Sequence, residues 1–303
     1  MTLTIPLDLG WAGHPRSIAS VLLRSGNFIA LIDPGPSSTI ANLRESLRVH
    51  GLGIRDLNAL FLTHIHLDHA GASGSLVREN PQLQVYVHSR GAPHMTDPSR
   101  LLDSARRLYG DTMQRLYGEF VAVPQSNLRI LEGGETLSAG SRQLRVLYTP
   151  GHASHHVTYF DDVEGTAFVG DTAGICVEGN PYILPATPPP DINLELWNTS
   201  LDTIAALGPK RLFLTHFGYS DDPARHIANY RERLSRWSDL VARILSEGLD
   251  DSASSEAFVE AIAAEAKNSL APEDVDHYLF NGALQLSWLG LARYHRKRAA
   301  ALA

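Results

Sequence analysis

The feature that most constrains the fold is a five-residue segment that occurs twice. Residues 60–64 and 212–216 both read Leu-Phe-Leu-Thr-His. Each copy is a short apolar run that ends in a histidine, and each follows a segment with the apolar spacing of a helix. A five-residue match can arise by chance. Two similar strand ends are nevertheless what a duplicated αβ–βα sandwich would contain, with its sheets covered by helices on their outer faces.

Four potential metal ligands lie within six residues at the first copy, namely His64, His66, Asp68 and His69. Residues two apart at the end of a strand project to the same side, so His64 and His66 can reach one ion together. If the chain turns after them, Asp68 and His69 can serve a second ion nearby. Imidazole and carboxylate without thiolate suit Zn²⁺, Fe²⁺ or Mn²⁺. The pattern predicts a metal site; the alternative is a histidine-rich surface loop.

Three later segments also end a predicted strand with a potential ligand: His152, Asp171 and His216. Each is weak alone, because an aspartate after a strand is more often a turn residue. His152 can complete the set of the first ion, and the two oxygens of Asp171 can bridge both ions. Four such groups in one chain predict a single site with two cations.

Other polar residues near these segments allow two interpretations. Asp33 ends a strand before Pro34, so it either orients a ligand or forms a turn. His155 and His156 follow His152 closely, so each either contacts substrate or ligands or is a hydrogen-bonded structural histidine. The remaining histidines are isolated, and we expect them to be structural or solvated.

Composition limits the class of protein. The chain has 303 residues, a net charge of −7 and 44% hydrophobic residues, which predicts a globular protein and argues against nucleic acid as a partner. No apolar run is long enough for a bilayer, and the first residues lack the pattern of a signal peptide. Cys176 is the single cysteine, which excludes an intrachain disulfide. We therefore expect a cytoplasmic protein with a small-molecule substrate and no membrane partner.

The spacing of apolar residues predicts two regions. Residues 1–220 should form a catalytic domain of strands and helices, with an irregular Gly- and Pro-rich loop at 173–192. Residues 221–303 should form about three helices that pack on it, and these can also form a homodimer interface. The predicted strands are 18–23, 28–32, 59–63, 83–88, 128–131, 143–148, 156–160, 166–170 and 211–215, and the predicted helices of the first region are 37–50, 72–79, 99–120 and 193–207.

The string His64-x-His66-x-Asp68-His69 resembles the signature of the metallo-β-lactamase superfamily. His152, Asp171 and His216 match the remaining ligand motifs in order, and the match extends over residues 15–218. The resemblance implies an α/β fold, a four-layer αββα sandwich with a helical C-terminal region and the metals at one edge between two sheets. It implies two ligand sets that share Asp171, one made of His64, His66 and His152 and the other of Asp68, His69 and His216.

Departures from known branches narrow the expected activity. His66 argues against the flavodiiron oxygen reductases, which have glutamate at that position. Class B β-lactamases lack a bridging aspartate at the place of Asp171, which argues against antibiotic hydrolysis as the main role. The extra motifs of the ribonuclease branches and the glutathione-binding motif of glyoxalase II are not evident. The chain is similar to glyoxalase II and the acyl-homoserine-lactone lactonases. Tyr182 can then donate to an oxyanion, as a loop tyrosine does in the lactonases, although packing is the favoured role.

This resemblance implies a dinuclear hydrolase of carboxylic ester, lactone or thioester bonds that acts through a metal-bridging hydroxide, with promiscuity toward phosphotriesters and β-lactams as a further expectation. Asp68 or Asp171 would relay the proton to the leaving group. Zinc is the expected metal, with iron and manganese as alternatives. The competing interpretation is a mononuclear iron oxidoreductase similar to the persulfide dioxygenases, which bind one iron through two histidines and an aspartate.

Overall fold

Two six-stranded sheets form the centre of the computed structural model, which describes residues 2–177 and 180–302. In the first sheet the spatial order of the strands is their order in the chain. Its first three strands are antiparallel, and the third to sixth are parallel. The strands are β1 (Thr2–Asp8), β2 (Ala19–Ser25), β3 (Phe28–Ile32), β4 (Ala59–Phe61), β5 (Gln84–His88) and β6 (Leu128–Leu131).

The second sheet has the order β12-β11-β10-β9-β8-β7 and is antiparallel except for the pair of β10 and β11. Its strands are β7 (Thr136–Ala139), β8 (Arg142–Tyr148), β9 (Val157–Asp161), β10 (Thr166–Gly170), β11 (Arg211–Leu214) and β12 (Gly218–Ser220). Parallel neighbours need a crossover, which is usually a helix. The helix Ile40–Val49 lies between β3 and β4, and Leu194–Ala206 lies between β10 and β11. The two copies of the repeat therefore end equivalent strand–helix–strand units.

The helices lie outside the two sheets. In chain order they are α1 (Ile40–Val49), α2 (Leu67–Ala70), α3 (Ser73–Glu79), α4 (Ala92–Thr96), α5 (Ser99–Tyr109), α6 (Met113–Tyr117), α7 (Leu194–Ala206), α8 (Pro223–Ser246), α9 (Asp251–Ser269), α10 (Pro272–Gly282) and α11 (Leu284–Leu302). None of the described helices combines the length and the apolarity needed to cross a bilayer.

The alternating side chains of the repeated Leu-Phe-Leu-Thr-His segment explain how the sheets and helices are layered. Phe61 and Phe213 belong to the apolar cluster between the sheets. Their leucine neighbours point the opposite way, because successive side chains of a strand alternate between faces. Leu60 therefore packs in the cluster that contains α1 and α3, and Leu212 packs in the cluster that contains α7 and the C-terminal helices. The result is the four-layer αββα sandwich that the sequence predicts.

The C-terminal region contains four helices in the described part of the chain, and the expected count of three is wrong. The missed break separates α10 from α11 at Ala283, which adopts a left-handed φ of 41°. The left-handed residue itself is an alanine, but the dipeptide Asn281-Gly282 directly before it is a turn signal that marks the break. The helices share one buried cluster with β9, β10, β11 and α7. The division into residues 1–220 and 221–303 stays a prediction.

Other elements differ locally from the predicted ones. The strands β1, β7 and β12 were not expected, and the predicted helix at 99–120 is split into α5 and α6 at Gly110, whose φ is 51°. The loop at 173–192 is irregular apart from one bridge between Ile175 and Leu184. Residues 178 and 179 of that loop lie outside the described residues.

Trp288 on α11 tests whether the C-terminal helices and the sandwich share one core. Its ring is buried and lies 6.0 Å from that of Phe258 on α9. We expect Trp288→Ala to lower the free energy of unfolding by about 3–5 kcal/mol in chemical denaturation, within a single transition. Leu289→Ala is the matched control, because that side chain is 44% exposed, and it should change stability by less than about 1 kcal/mol. Two separate unfolding transitions would contradict a shared core.

Candidate metal centre

The ends of several strands meet at one edge of the sandwich and bring all seven predicted ligands together. His64 and His66 follow β4, α2 carries Asp68 and His69, and the later three follow β8, β10 and β11. Their potential ligand atoms form two groups, and within each group all of these atoms lie within 4.8 Å of one another. The first group is His64, His66, His152 and Asp171, and the second is Asp68, His69 and His216.

Three ring nitrogens converge in the first group. Nδ1 of His66 lies 2.9 Å from Nε2 of His64 and 3.0 Å from Nε2 of His152. Oδ2 of Asp171 lies 3.3 Å from Nε2 of His152 and 3.9 Å from Nε2 of His64. Tetrahedral zinc with Zn–N bonds of about 2.0–2.1 Å separates its ligand atoms by about 3.3 Å. The spacing of these atoms therefore fits a cation of that size.

The second group converges in the same way and shares Asp171. Oδ2 of Asp68 lies 3.3 Å from Nε2 of His216 and 3.8 Å from Nε2 of His69. Oδ1 of Asp171 lies 3.2 Å from Nε2 of His69 and 3.7 Å from Nε2 of His216. The two oxygens of Asp171 therefore face different groups, which is the geometry that a bridging carboxylate requires.

Nε2 of His69 and Oδ1 of Asp171 are buried and lie 3.2 Å apart, but neither makes a well-aligned hydrogen bond to the other or to another described residue. A buried polar atom without a partner is costly, and natural structures contain few of them. Both atoms point into the space that the second group encloses. A cation there would satisfy both, so the residues present fit divalent metal ions.

Hydrogen bonds on the outer side of the rings fix which nitrogen faces the cluster. Nδ1 of His152 donates to the carbonyl of Ala186 at 2.7 Å, and Nδ1 of His216 donates to the carbonyl of Ser17 at 2.7 Å. A neutral ring that donates through Nδ1 keeps its lone pair on Nε2. Such outer contacts set the tautomer and the orientation of metal-binding histidines.

Asp33 supplies the corresponding contact for His69 and joins the two halves of the site. Its Oδ2 accepts from Nδ1 of His69 at 2.8 Å and from the hydroxyls of Thr63 at 2.7 Å and Thr215 at 3.1 Å. Its Oδ1 accepts from the backbone N–H of Thr63 at 2.8 Å. The hydroxyl of Thr63 also accepts from Nδ1 of His64 at 3.0 Å. Asp33 therefore orients site residues, and the threonines of the repeat share one acceptor.

Burial and neighbouring charge set the protonation of the first group. Burial lowers the pKa of His64 and His152, and burial together with the nearby His152 ring lowers the pKa of His66 to about 4. These rings are neutral near pH 7. Neutral imidazole is the form that binds a cation, so no proton has to leave them first.

In the second group the histidine rings lie next to carboxylates, which favour the protonated form of the rings. Burial disfavours the charged rings of His69 and His216, but the carboxylates of Asp171 and Asp68 outweigh it and raise both pKa values. Burial also disfavours the carboxylate of Asp68, but His69 and His216 lower its pKa to about 2. The negative charge that attracts these protons is also available to a cation, which competes with them.

The sequence left the roles of His155, His156 and Tyr182 open, and the structure places these residues in different surroundings. His156 is buried, and its Nδ1 lies 3.0 Å from the hydroxyl of Thr149 and 3.1 Å from that of Thr172, below the metal cluster. His155 lines the cavity beside the cluster. The ring of Tyr182 packs 5.4 Å from that of Tyr278 and under the guanidinium of Arg233 at 4.0 Å. Tyr182 does not line the cavity, which agrees with the favoured packing role.

A cavity of about 320 Å³ opens above the cluster and is lined by Asp68, Asp171 and His216 among others. Residues that the sequence did not single out form much of its wall. Among them are Trp11, Arg90, Arg100, Tyr109, Tyr117 and Phe280. They come from the N-terminal loop, the segment around α4 to α6 and α10, and no local motif connects them. His94, which we expected to be structural or solvated, also lines the cavity.

Residues 14–216 match the metallo-beta-lactamase superfamily. A metallo-beta-lactamase fold-containing protein of Sulfurisphaera tokodaii is 30% identical over 205 residues, which are 66% of this chain and 73% of that protein. The chain therefore belongs to the metallo-beta-lactamase superfamily. Its relatives include a hydroxyacylglutathione hydrolase of Legionella pneumophila, which is 28% identical over 142 residues; these are 46% of this chain and 41% of that enzyme's length.

Solved structures show the same fold. A metallo-beta-lactamase family protein of Thermus thermophilus matches with a TM-score of 0.67 and 23% identity, over 99% of this chain and 94% of its own. An archaeal superfamily protein from Sulfolobus tokodaii matches with a TM-score of 0.66 and 23% identity, over 96% and 97%. The predicted family and sandwich fold are confirmed. The chain is a member of a metallo-hydrolase superfamily and carries a histidine and aspartate metal-binding cluster.

Asp33→Asn tests the role of the shared acceptor. One amide NH₂ would face hydrogen-bond donors in a fully buried place, so we expect the free energy of unfolding to fall by about 3–5 kcal/mol and metal affinity to fall about 10- to 100-fold. Chemical denaturation and metal analysis after dialysis measure the two effects. Asp56→Asn is the control, because Asp56 is exposed and accepts from the backbone N–H of Gly53. Unchanged metal content in Asp33→Asn would show that Asp33 does not orient the site.

Proposed function

We propose that this chain is a dinuclear metal-dependent hydrolase of carboxylic ester, lactone or thioester bonds. One cation would be held by His64, His66 and His152, the other by Asp68, His69 and His216, and Asp171 would bind both. The observation that carries the proposal is the placement of the two Asp171 oxygens, 3.3 Å from Nε2 of His152 on one side and 3.2 Å from Nε2 of His69 on the other.

The donor set supports zinc, with iron and manganese as alternatives, because it consists of imidazole nitrogens and carboxylate oxygens. When bound, two such cations supply a hydroxide near neutral pH and polarise the carbonyl oxygen that it attacks. Cys176 contributes no thiolate, since its buried Sγ lies 3.1 Å from the carbonyl of Asn180 and belongs to neither group.

The exposure of the two carboxylates favours different roles for them. The side chain of Asp171 is 6% exposed, and both of its oxygens face ligand nitrogens. The side chain of Asp68 is 21% exposed, and it lines the cavity. A group that passes a proton to a leaving group must reach the substrate. We therefore assign the proton transfer to Asp68 and the holding of both cations to Asp171.

The similarity to hydroxyacylglutathione hydrolases supports an acyl substrate. This similarity covers 41% of the length of the Legionella pneumophila enzyme, so the rest of that enzyme has no counterpart in the match. A probable metallo-hydrolase of Bacillus subtilis matches over more of its length, at 26% identity over 66% of that protein. The cavity of about 320 Å³ favours a small molecule over a polymer, because it is of the size of ordinary small-molecule sites.

Asp171→Ala tests the dinuclear assignment. The wild-type protein should contain about two metals per chain and cleave thioesters or lactones without oxygen. The variant should lose at least one metal and more than about a hundredfold of kcat/KM, since even residues that only orient ligands change activity 10- to 100-fold. Elemental analysis and hydrolysis assays on the same preparation measure both. Asp162→Ala is the control, because Asp162 is exposed and pairs with Arg145 on the surface, at 2.7 Å.

Other outcomes separate this proposal from its competitor. About one iron per chain together with oxygen consumption would favour the mononuclear dioxygenase and contradict the hydrolase. Full turnover of metal-replete Asp171→Ala would contradict the role of Asp171 in binding both cations.

A further inference from the structure

Gly290 lies in the interior of α11, where glycine is an unfavourable residue. Glycine destabilises the middle of a helix relative to alanine, because it loses more conformational freedom on folding. A close contact explains its presence. A Cβ atom at this position would lie 2.0 Å from the carbonyl oxygen of Thr187 and 2.9 Å from the carbonyl carbon of Pro188. Only a residue without a side chain lets the backbone of α11 approach these two residues so closely.

The contacted residues belong to a part of the irregular loop before α7 that contains three consecutive prolines. We call residues 186–191 the proline segment. A second contact joins this segment to α11, because the hydroxyl of the buried Thr187 donates to the carbonyl oxygen of Ser287 at 3.3 Å. Ser287 precedes Gly290 by three residues, so both contacts lie on the same face of the helix. One face of α11 therefore supports the proline segment.

The proline segment also holds one of the potential metal ligands. Nδ1 of His152 donates to the carbonyl oxygen of Ala186 at 2.7 Å, and Nε2 of the same ring faces the cluster. This carbonyl belongs to the peptide bond between Ala186 and Thr187, directly before the carbonyl that Gly290 contacts. The ring of His152 is therefore linked to α11 through two successive peptide groups.

Of the two partners in this contact, α11 is the more firmly held. Trp288 and Leu291, on either side of Gly290, are buried in the apolar cluster that includes residues of α8 and α9. A helix in such a cluster moves as a unit, whereas a single peptide group of an irregular loop can shift alone. A side chain added at Gly290 would therefore displace the proline segment and weaken the hydrogen bond that orients His152.

The second group of ligands is oriented from another part of the chain. Nδ1 of His216 donates to the carbonyl of Ser17 at 2.7 Å, and Nδ1 of His69 donates to Asp33 at 2.8 Å. Both acceptors belong to the N-terminal part of the first sheet and its loops. The path from α11 through the proline segment therefore ends at the first group.

We propose that α11 sets the affinity of the first ligand group for its cation, because it holds the proline segment and through it the ring of His152. Gly290 and Thr187 are then positioning residues that act on the metal through His152. This inference rests on the proposed function, because it assigns His152 to one of two cations. It goes further, because it makes the last helix of the chain a part of the metal centre.

Gly290→Ala tests the contact between α11 and the proline segment. We expect zinc affinity, measured by competition with a chromophoric chelator, to fall about 10- to 100-fold at one site and to stay unchanged at the other, since groups that orient a metal ligand have effects of this size. Leu289→Ala is the matched control, because the neighbouring side chain is 44% exposed, and it should keep the wild-type affinity. Wild-type affinity at both sites in Gly290→Ala would overturn the inference.

Thr187→Val tests the same support without adding an atom to α11. It removes the hydroxyl that donates to Ser287 and keeps the shape of the side chain. The zinc affinity of one site should fall about twofold to tenfold, which corresponds to the loss of one hydrogen bond. Circular dichroism shows whether each variant is folded, and Thr187→Val decides the outcome if Gly290→Ala does not fold. An unchanged affinity in folded Thr187→Val would then contradict the role of α11.

A double-mutant cycle separates the positioning of His152 from a general loss of stability. His152→Ala removes the ring, so Gly290→Ala should cause no further loss of zinc affinity in that background. A merely structural role would lower the remaining affinity in the double variant as well, and that result would overturn the inference. These measurements contain no substrate, so a protein that binds zinc as expected but hydrolyses no ester, lactone or thioester counts against the proposed function alone.

Discussion

The site depends on one buried carboxylate, that of Asp33. A charge removed from water is costly unless hydrogen bonds replace its hydration. Asp33 is fully buried and accepts from Thr63 at the end of β4, from Thr215 at the end of β11 and from His69 on α2. These donors come from both sheets. The same contacts that make the buried charge tolerable therefore hold the two sheet ends together and orient a ring of the metal cluster.

The repeated Leu-Phe-Leu-Thr-His segment shows how much of this arrangement the sequence contains. Its phenylalanines face the inter-sheet core, its leucines face the outer helices, and its threonines donate to Asp33. Local alternation and residue type determine all of these positions, so sequence reasoning could predict the sandwich and the convergence of the seven potential ligands. The partner of the threonines could not be read in advance, because Asp33 looks the same in a turn as in a metal site.

The cavity wall could not be predicted for a different reason. Trp11, Tyr117 and Phe280 meet only because the N-terminal loop, α6 and α10 pack together, and no spacing in the chain connects them. His94 looked isolated because its neighbours in space are far from it in sequence. Long-range packing therefore determines the cavity wall, whereas strand ends determine the metal cluster.

The metal cluster and the part of the cavity wall that α5 forms are held in place by different contacts. The residues that face the metal cluster are held by backbone carbonyls, by the threonine hydroxyls and by Asp33, and the α5 wall takes no part in those contacts. Arg100 is exposed and makes no ion pair in the described structure, so its replacement does not have to disturb the cluster. Replacements in α5 can therefore change the wall of the cavity while the geometry of the metal cluster stays fixed.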